Sequence, residues 1–347
     1  MAARAVAAGV VAEMALVRRN ILTDAGARED YVAGVLALKQ DHSAGVTTDR
    51  LGVPGPSVPV STYDQFVIWH CWTMMTPVPP GGDPTRRNAA HRGPIFLPWH
   101  RVMLGLLEAR IQQVLGKPGF ALPYWDWSAD GDLGSPTDAA VFGPDYLGGD
   151  GDPVSTGRFA FDAADAASFA VRIESDLSGM PVQTPRPRGL RRSFAVDWPT
   201  LPTGADVKSA LAYQPPASST KAADRYDTPA FDSSSKGFRN LLEGWLPREP
   251  ARPVHLHNQV HVWIGGDMSP GTSPNDPVFF LHHCNVDRIW EGWMNRFGRL
   301  YAPDMSFPAA TFRGERSGDP IVSPLGPGAT PASVLDASAL YTYDVLP

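Results

Sequence analysis

The stretch HLHNQVHVWIGG, residues 255–266, places three histidines close together. His257 and His261 are four residues apart, so on a helix both rings leave one face and can meet one metal ion. A fold that uses this pair must bring further donors to it. The chain has 9 histidines, at positions 42, 70, 91, 100, 255, 257, 261, 282 and 283. His283 opens a second helical pattern with Asp287 four residues on, where a carboxylate can accept the free ring N–H of a ligating histidine and fix its tautomer. In the other half, His70 sits in an apolar helical stretch, His91 in a loop and His100 at the start of another helix. These three imidazoles could converge on a second ion. Spacing alone leaves plain alternatives open. An i,i+4 pair also arises by chance, His70 fits a hydrogen-bonded core histidine, and His91 fits a solvated loop residue. His42, His255 and His282 have no matching partners. His282 adjoins His283, but neighbouring helical residues point about 100° apart, which argues against one shared ion.

The donor type narrows the metal. Catalytic zinc usually pairs its ligands with a carboxylate base, often on an HExxH helix, and that motif is absent. Facial-triad iron needs a carboxylate ligand. Sites built only of imidazole suit copper, and two of them side by side could share one O2.

Periodicity predicts helices over residues 27–41, 62–75 (apolar nearly all round, hence buried), 98–115, 237–246, 255–263 and 282–298, and a shorter one near 205–212. Proline opens the third of these and Gly298 closes the last before the tail. Residues 129–240 show few clear periods, and LYTYDVLP at the end reads as a strand. Glycine (33) and proline (35) are abundant, which predicts long ordered loops around a compact centre. No composition break divides the chain, so residues 17–347 are expected to form a single domain, with residues 1–16 an extension lacking structure.

The net charge is −6 and no Lys/Arg run stands out, which argues against nucleic acid or an anionic membrane as partner. No stretch of 18 apolar residues exists to span a membrane. The N-terminal run carries Glu13, and Arg18–Arg19 follow it instead of preceding it, so no export signal is read and a cytoplasmic location is expected. The two cysteines, Cys71 and Cys284, form no disulfide framework.

With FLPWHR, LHNQVHVWIGG and SPNDPVFFLHHCNVDRIW on the page, the chain resembles the type-3 copper proteins: tyrosinases, catechol oxidases and their relatives. It is most similar to the short bacterial tyrosinases, from VRRN near residue 17 to YTYD near residue 341, and least so over 129–235. The resemblance implies a mainly α fold, a four-helix bundle holding a dicopper centre, wrapped in long loops with a little β. It implies copper A on His70, His91 and His100, and copper B on His257, His261 and His283, with O2 as co-substrate and Asp287 supporting the ligands from behind. It implies that Glu243, in LLEGW, and Asn258 hold a water that deprotonates a monophenol. The segment between Glu243 and His257 is longer than in those relatives, which makes Glu249 a fallback for that role. Asn258, Val262 and Met268 are expected to line the substrate site.

Some relatives join a cysteine to the loop histidine. Here the matching position is Ala89, so no thioether is expected, and Cys71 and Cys284 are read as buried free thiols. The chain stops after YTYD, so no C-terminal shielding domain is expected. A separate caddie-like protein could deliver copper. The implied activity is o-hydroxylation of monophenols and oxidation of o-diphenols to o-quinones. The alternatives are a catechol or o-aminophenol oxidase without monophenolase activity and, from a different class, a haemocyanin-like O2 carrier.

Overall fold

The structure, a computed structural model, describes residues 16–215, 217–219, 221–246, 255–323 and 328–347. Residues 1–15 and Glu249 therefore lie outside the described residues.

The chain is mainly helical with a little sheet. In order, it runs β1 (Leu16–Arg18), α1 (Ala25–Gln40), α2 (Thr62–Met75), α3 (Phe96–Leu115), α4 (Trp127–Gly131), β2 (Val171–Ser175), β3 (Pro181–Arg188), α5 (Gly204–Leu211), α6 (Phe238–Glu243), α7 (Leu256–Ile264), α8 (Val278–Phe297), α9 (Ala309–Phe312) and β4 (Tyr341–Tyr343). No described helix is long and apolar enough to cross a membrane.

Local chemistry sets the helix ends. Ser61 starts α2: its Oγ accepts from the Asp64 N–H at 3.0 Å and donates to Asp64 Oδ2 at 2.8 Å. Gly116, in the left-handed region at φ 63°, ends α3. Helix α6 is shorter than its sequence pattern because Gly244, at φ 104°, turns the chain. A Cβ at that position would overlap the His255 carbonyl. Helix α8 starts earlier than its pattern, just after Pro277.

The β2–β3 hairpin and strand β1 had no signal in the periodicity, whereas β4 falls in the LYTYDVLP stretch read as a strand. Strands β2 and β3 form an antiparallel hairpin with a bulge. Their sequences, VRIES and PVQTPRPR, hide a ladder behind prolines of the kind edge strands tolerate. Strand β1 pairs in parallel with β4, Leu16 opposite Tyr341, and so ties the start of the described chain to its end.

Beneath that pair lies a buried ionic cluster. Arg18, fully buried, donates from Nε to Glu108 Oε2 at 3.0 Å. Arg101 donates from Nε to Asp287 Oδ1 at 2.7 Å, and from Nη2 to Glu291 at 2.6 Å. The hydroxyls of Tyr341 and Tyr343 both donate to Asp287 Oδ2 at 2.7 Å. Burial opposes charge on Asp287, but Arg101 and Arg18, with the two tyrosines, outweigh it and hold its pKa below the usual carboxylate value. This corrects the reading of Asp287 as the partner of the His283 ring. Its oxygens belong to two arginines and two tyrosines, and the charge of those arginines outcompetes a neutral imidazole. Asp287→Ala is expected to destabilise the fold by about 3–5 kcal/mol, because it strands buried guanidinium charge. A denaturant-unfolding midpoint measured beside wild type checks this.

Candidate metal centre

Four helices and one loop bring the histidines together. His70 comes from α2, His91 from the 76–95 loop, His100 from α3, His257 and His261 from α7, and His282 and His283 from α8. Their nitrogens fall into two groups: His70, His91 and His100, and His257, His261, His282 and His283. Within each group the candidate ligand atoms lie within 4.8 Å of one another. The groups share a wall, where the His100 and His283 rings stack at 4.0 Å and 6°.

Which nitrogen is available follows from the partners. A carbonyl oxygen can only accept, so a ring nitrogen bonded to one carries the proton. Nδ1 of His70 donates to the Gly271 carbonyl at 2.6 Å, Nδ1 of His100 to that of Phe96 at 2.8 Å, and Nδ1 of His261 to that of Met268 at 2.7 Å. Nε2 of these three rings is buried with no hydrogen-bond partner. His257 follows the same plan, with Nδ1 within 3.2 Å of the Glu243 carbonyl and 3.0 Å of Asn258 Oδ1. Its Nε2 meets His283 Nε2 at 3.3 Å. Orphaned, inward-facing lone pairs on neutral imidazoles are what a copper ion would use.

Electrostatics keeps them neutral. Burial lowers the His70 pKa to about 3 and that of His261 to about 4. Burial, reinforced by repulsion from the other histidines, takes His91, His100, His257, His282 and His283 well below the ordinary value.

The loop histidine needs the most support. Asn88 Oδ1 accepts the backbone N–H of Ala90 at 3.1 Å and of His91 at 2.8 Å. Arg92 follows at φ 63°, a left-handed conformation unusual for a side chain of its size. Its N–H donates to Glu243 Oε1 at 2.6 Å. Beyond it, Glu315 Oε2 accepts the Ile95 N–H at 3.0 Å at the start of α3, and a Cβ on Gly93 would overlap its carboxyl. Burial, only partly offset by that N–H and by Arg87, pushes the Glu315 pKa up to about 8.

Glu243 is fully buried. Besides the Arg92 N–H, its carboxyl accepts Trp245 Nε1 at 3.0 Å and Arg239 Nη1 at 2.8 Å. Burial raises its pKa, against the pull of Arg239. Asn258 and Val262 line a cavity of about 250 Å³ that opens onto His70, His91, His257 and His261, with Met74, Arg92 and Trp245 also on its wall. Met268 is corrected: its side chain is fully buried in the apolar core, and only its carbonyl serves the site, through His261. A short turn after Gly265 directs the side chain inward.

His282 comes closer to the centre than adjacent-residue geometry implied, stacking on His257 at 5.0 Å and 20°. His42 and His255 belong to neither group. Periodicity gave no sign of Phe96 and Phe279. Phe96 packs at 4.9 Å from His100 and 4.8 Å from His257, and Phe279 at 5.0 Å from His70 and 4.2 Å from His283. Both cysteines are buried free thiols; Cys71 donates to the Gly179 carbonyl at 3.2 Å, and burial lifts its pKa to about 11.

The pattern of the common central domain of tyrosinase matches residues 60–296, the span that holds all of these histidines except His42. The chain belongs to the tyrosinase family. It is 36% identical over 334 residues to a tyrosinase of Streptomyces glaucescens, covering 94% of this chain and 98% of that one. It is 35% identical over 348 residues to grixazone synthase of Streptomyces griseus, covering 95% and 100%. Among solved structures, a polyphenol oxidase variant from Thermothelomyces thermophila superposes with a TM-score of 0.65 at 22% identity, over 96% of this chain and 89% of that one; that likeness speaks for the fold. This tyrosinase-family protein is thus a type-3 copper oxidoreductase.

Two outcomes are expected from these charge states. Below about pH 6.5 the unfolded chain binds protons that the buried imidazoles refuse. The metal-free protein should therefore lose stability as pH falls from about 6.5 towards 3, by roughly 1–2 kcal/mol at pH 5 for each imidazole that stays neutral. Denaturant titrations at pH 7 and pH 5 measure this. Glu315 has the opposite sign. Its raised pKa keeps a proton in the folded state that the unfolded chain releases above about pH 4.3, so its contribution is lost as pH rises to about 8. Glu315→Gln should lose less stability between pH 5 and pH 9 than wild type does, read from melting temperatures across that range.

Proposed function

We propose that this protein oxidises phenols with O2, hydroxylating monophenols at the ortho carbon and oxidising o-diphenols to o-quinones. Two copper ions would be held three by three, one by His70, His91 and His100, the other by His257, His261 and His283, inside a bundle of α2, α3, α7 and α8. The observation that carries this reading is the set of buried Nε2 atoms without partners, each on a ring whose Nδ1 is tied to a backbone carbonyl. When bound, the copper pair supplies the O2 binding and the two-electron redox chemistry.

The chain's own residues do the rest. Carbonyls of Gly271, Phe96 and Met268 fix ring orientation, so the donors are set before a metal arrives. The cavity seats one aromatic ring beside the loop and α7 histidines, with Val262 and Asn258 on its wall. Three donors occupy the Glu243 carboxylate, leaving one of its roughly four acceptor sites, and Asn258 Nδ2 is buried without an acceptor. A water between them would take the phenol proton, and the raised pKa of Glu243 makes it a better base than a solvated carboxylate. In hydroxylation, one oxygen atom of O2 enters the ring and the other leaves as water. In catechol oxidation, the diphenol gives up two electrons and two protons. A separate copper-delivery protein belongs to the same reading; full reconstitution by free copper alone would make it unnecessary.

Metal analysis should find copper in excess of zinc, and O2 uptake should follow addition of catechol and of tyramine. His261→Ala should lower that uptake by about 100-fold or more. One zinc per chain, or undiminished oxidase activity in His261→Ala, overturns the proposal. Fast catechol turnover with no product from tyramine restricts it to diphenol or aminophenol oxidation.

A further inference from the structure

The active-site cavity carries a charge that the oxidase reading does not use. Among the described residues lining it, Arg92 is the one with a permanent charge; the others are apolar, neutral polar or deprotonated histidine. No described carboxylate makes an ion pair with it: Glu243 accepts the Arg92 backbone N–H and takes Arg239 and Trp245 as side-chain partners, and Asp83, an exposed carboxylate, feels the Arg92 charge without a salt bridge. The Arg92 guanidinium makes no hydrogen bond or ion pair with any described residue. Its Cζ lies over the Trp245 ring, 4.2 Å from the centroid. That cation–π contact holds the group without consuming its N–H donors. The backbone reinforces the placement. Arg92 directly follows His91 and sits at φ 63°, held there by its N–H bond to Glu243. The chain thus adopts a costly conformation at the residue whose side chain reaches the cavity.

We propose that Arg92 and Trp245 form an anion subsite, and that the preferred substrates are phenols and catechols bearing a carboxylate on the ring or on a short side chain. This deepens the oxidase reading and rests on it. A guanidinium fork binds a carboxylate through two parallel hydrogen bonds. The Trp245 face gives the attached carbon chain an apolar surface, and Asn258 and Val262 border the ring. A substrate ammonium would meet Arg92 with like charge.

Turnover is compared on three catechols of similar size: dihydrocaffeate (carboxylate), methylcatechol (neutral) and dopamine (ammonium). In wild type, kcat/KM should fall in that order, the carboxylate exceeding the ammonium compound by about 10- to 100-fold, and the gap should narrow at high salt. Arg92→Gln, which keeps a non-glycine residue at the same backbone position, should shrink the carboxylate-to-neutral ratio towards one. Arg92→Lys should retain part of it, since a point charge replaces the fork. An equal wild-type rate on all three overturns the subsite, and so does a loss in Arg92→Gln shared equally by all three, which marks a purely structural arginine. If Arg92→Gln does not fold, the wild-type ranking and the inhibition of methylcatechol oxidation by phenylpropionate relative to phenylpropanol decide alone; equal inhibition overturns the proposal. Absence of O2 uptake with every catechol is a different result, for it removes the oxidase reading itself.

Discussion

The bond from an imidazole Nδ1–H to a backbone carbonyl is the interaction on which the rest of this structure depends. His70, His100 and His261 each make it, to the Phe96 carbonyl at the start of α3 and to those of Gly271 and Met268 between α7 and α8. Each such bond fixes which ring nitrogen carries the proton and where the other points. The second nitrogen then has no partner, which in a buried site costs free energy that the surrounding fold must offset. The offset comes from the tryptophans and phenylalanines packed around the rings, and from helices whose caps leave little freedom in register. Burial also excludes protons, so the rings stay neutral.

Much of this was legible in the sequence, for particular reasons. Helix α2 was readable because all of its faces are apolar, and it ends where Pro77 and its neighbours forbid continuation. The pair His257 and His261 was readable because a spacing of four survives any helix. His91 was not legible from pattern alone; a loop histidine becomes interpretable only beside the motifs around it. The hairpin β2–β3 was hidden by its prolines. The role of Asp287 was misread because spacing places it below His283 but does not reveal Arg18 and Arg101, which come from distant stretches of chain. Met268 failed for a similar reason: its neighbour Gly265 reverses the backbone, and the group that serves the site is a carbonyl, which no side-chain pattern displays.

The loop from Asn88 to Ile95 shows how function constrains a segment without secondary structure. Asn88 folds it from inside, Glu243 holds Arg92 from one side, and Glu315 holds the entry to α3 from the other. Three short side chains replace the ladder a helix would have provided. Two of them are buried carboxyls with raised pKa, so the support of this loop and its electrostatics are one problem.

The pairing of β1 with β4 has a consequence for the histidine centre. Asp287 lies one helical turn from His283, and two of its hydrogen-bond donors are Tyr341 and Tyr343, in β4. Unless β4 docks beside Leu16, the buried Asp287 carboxylate lacks two of its hydrogen-bond donors and is held by the arginines alone. The floor under α8 is therefore closed by stretches from opposite ends of the described chain, and any break in their pairing reaches the histidine centre through Asp287.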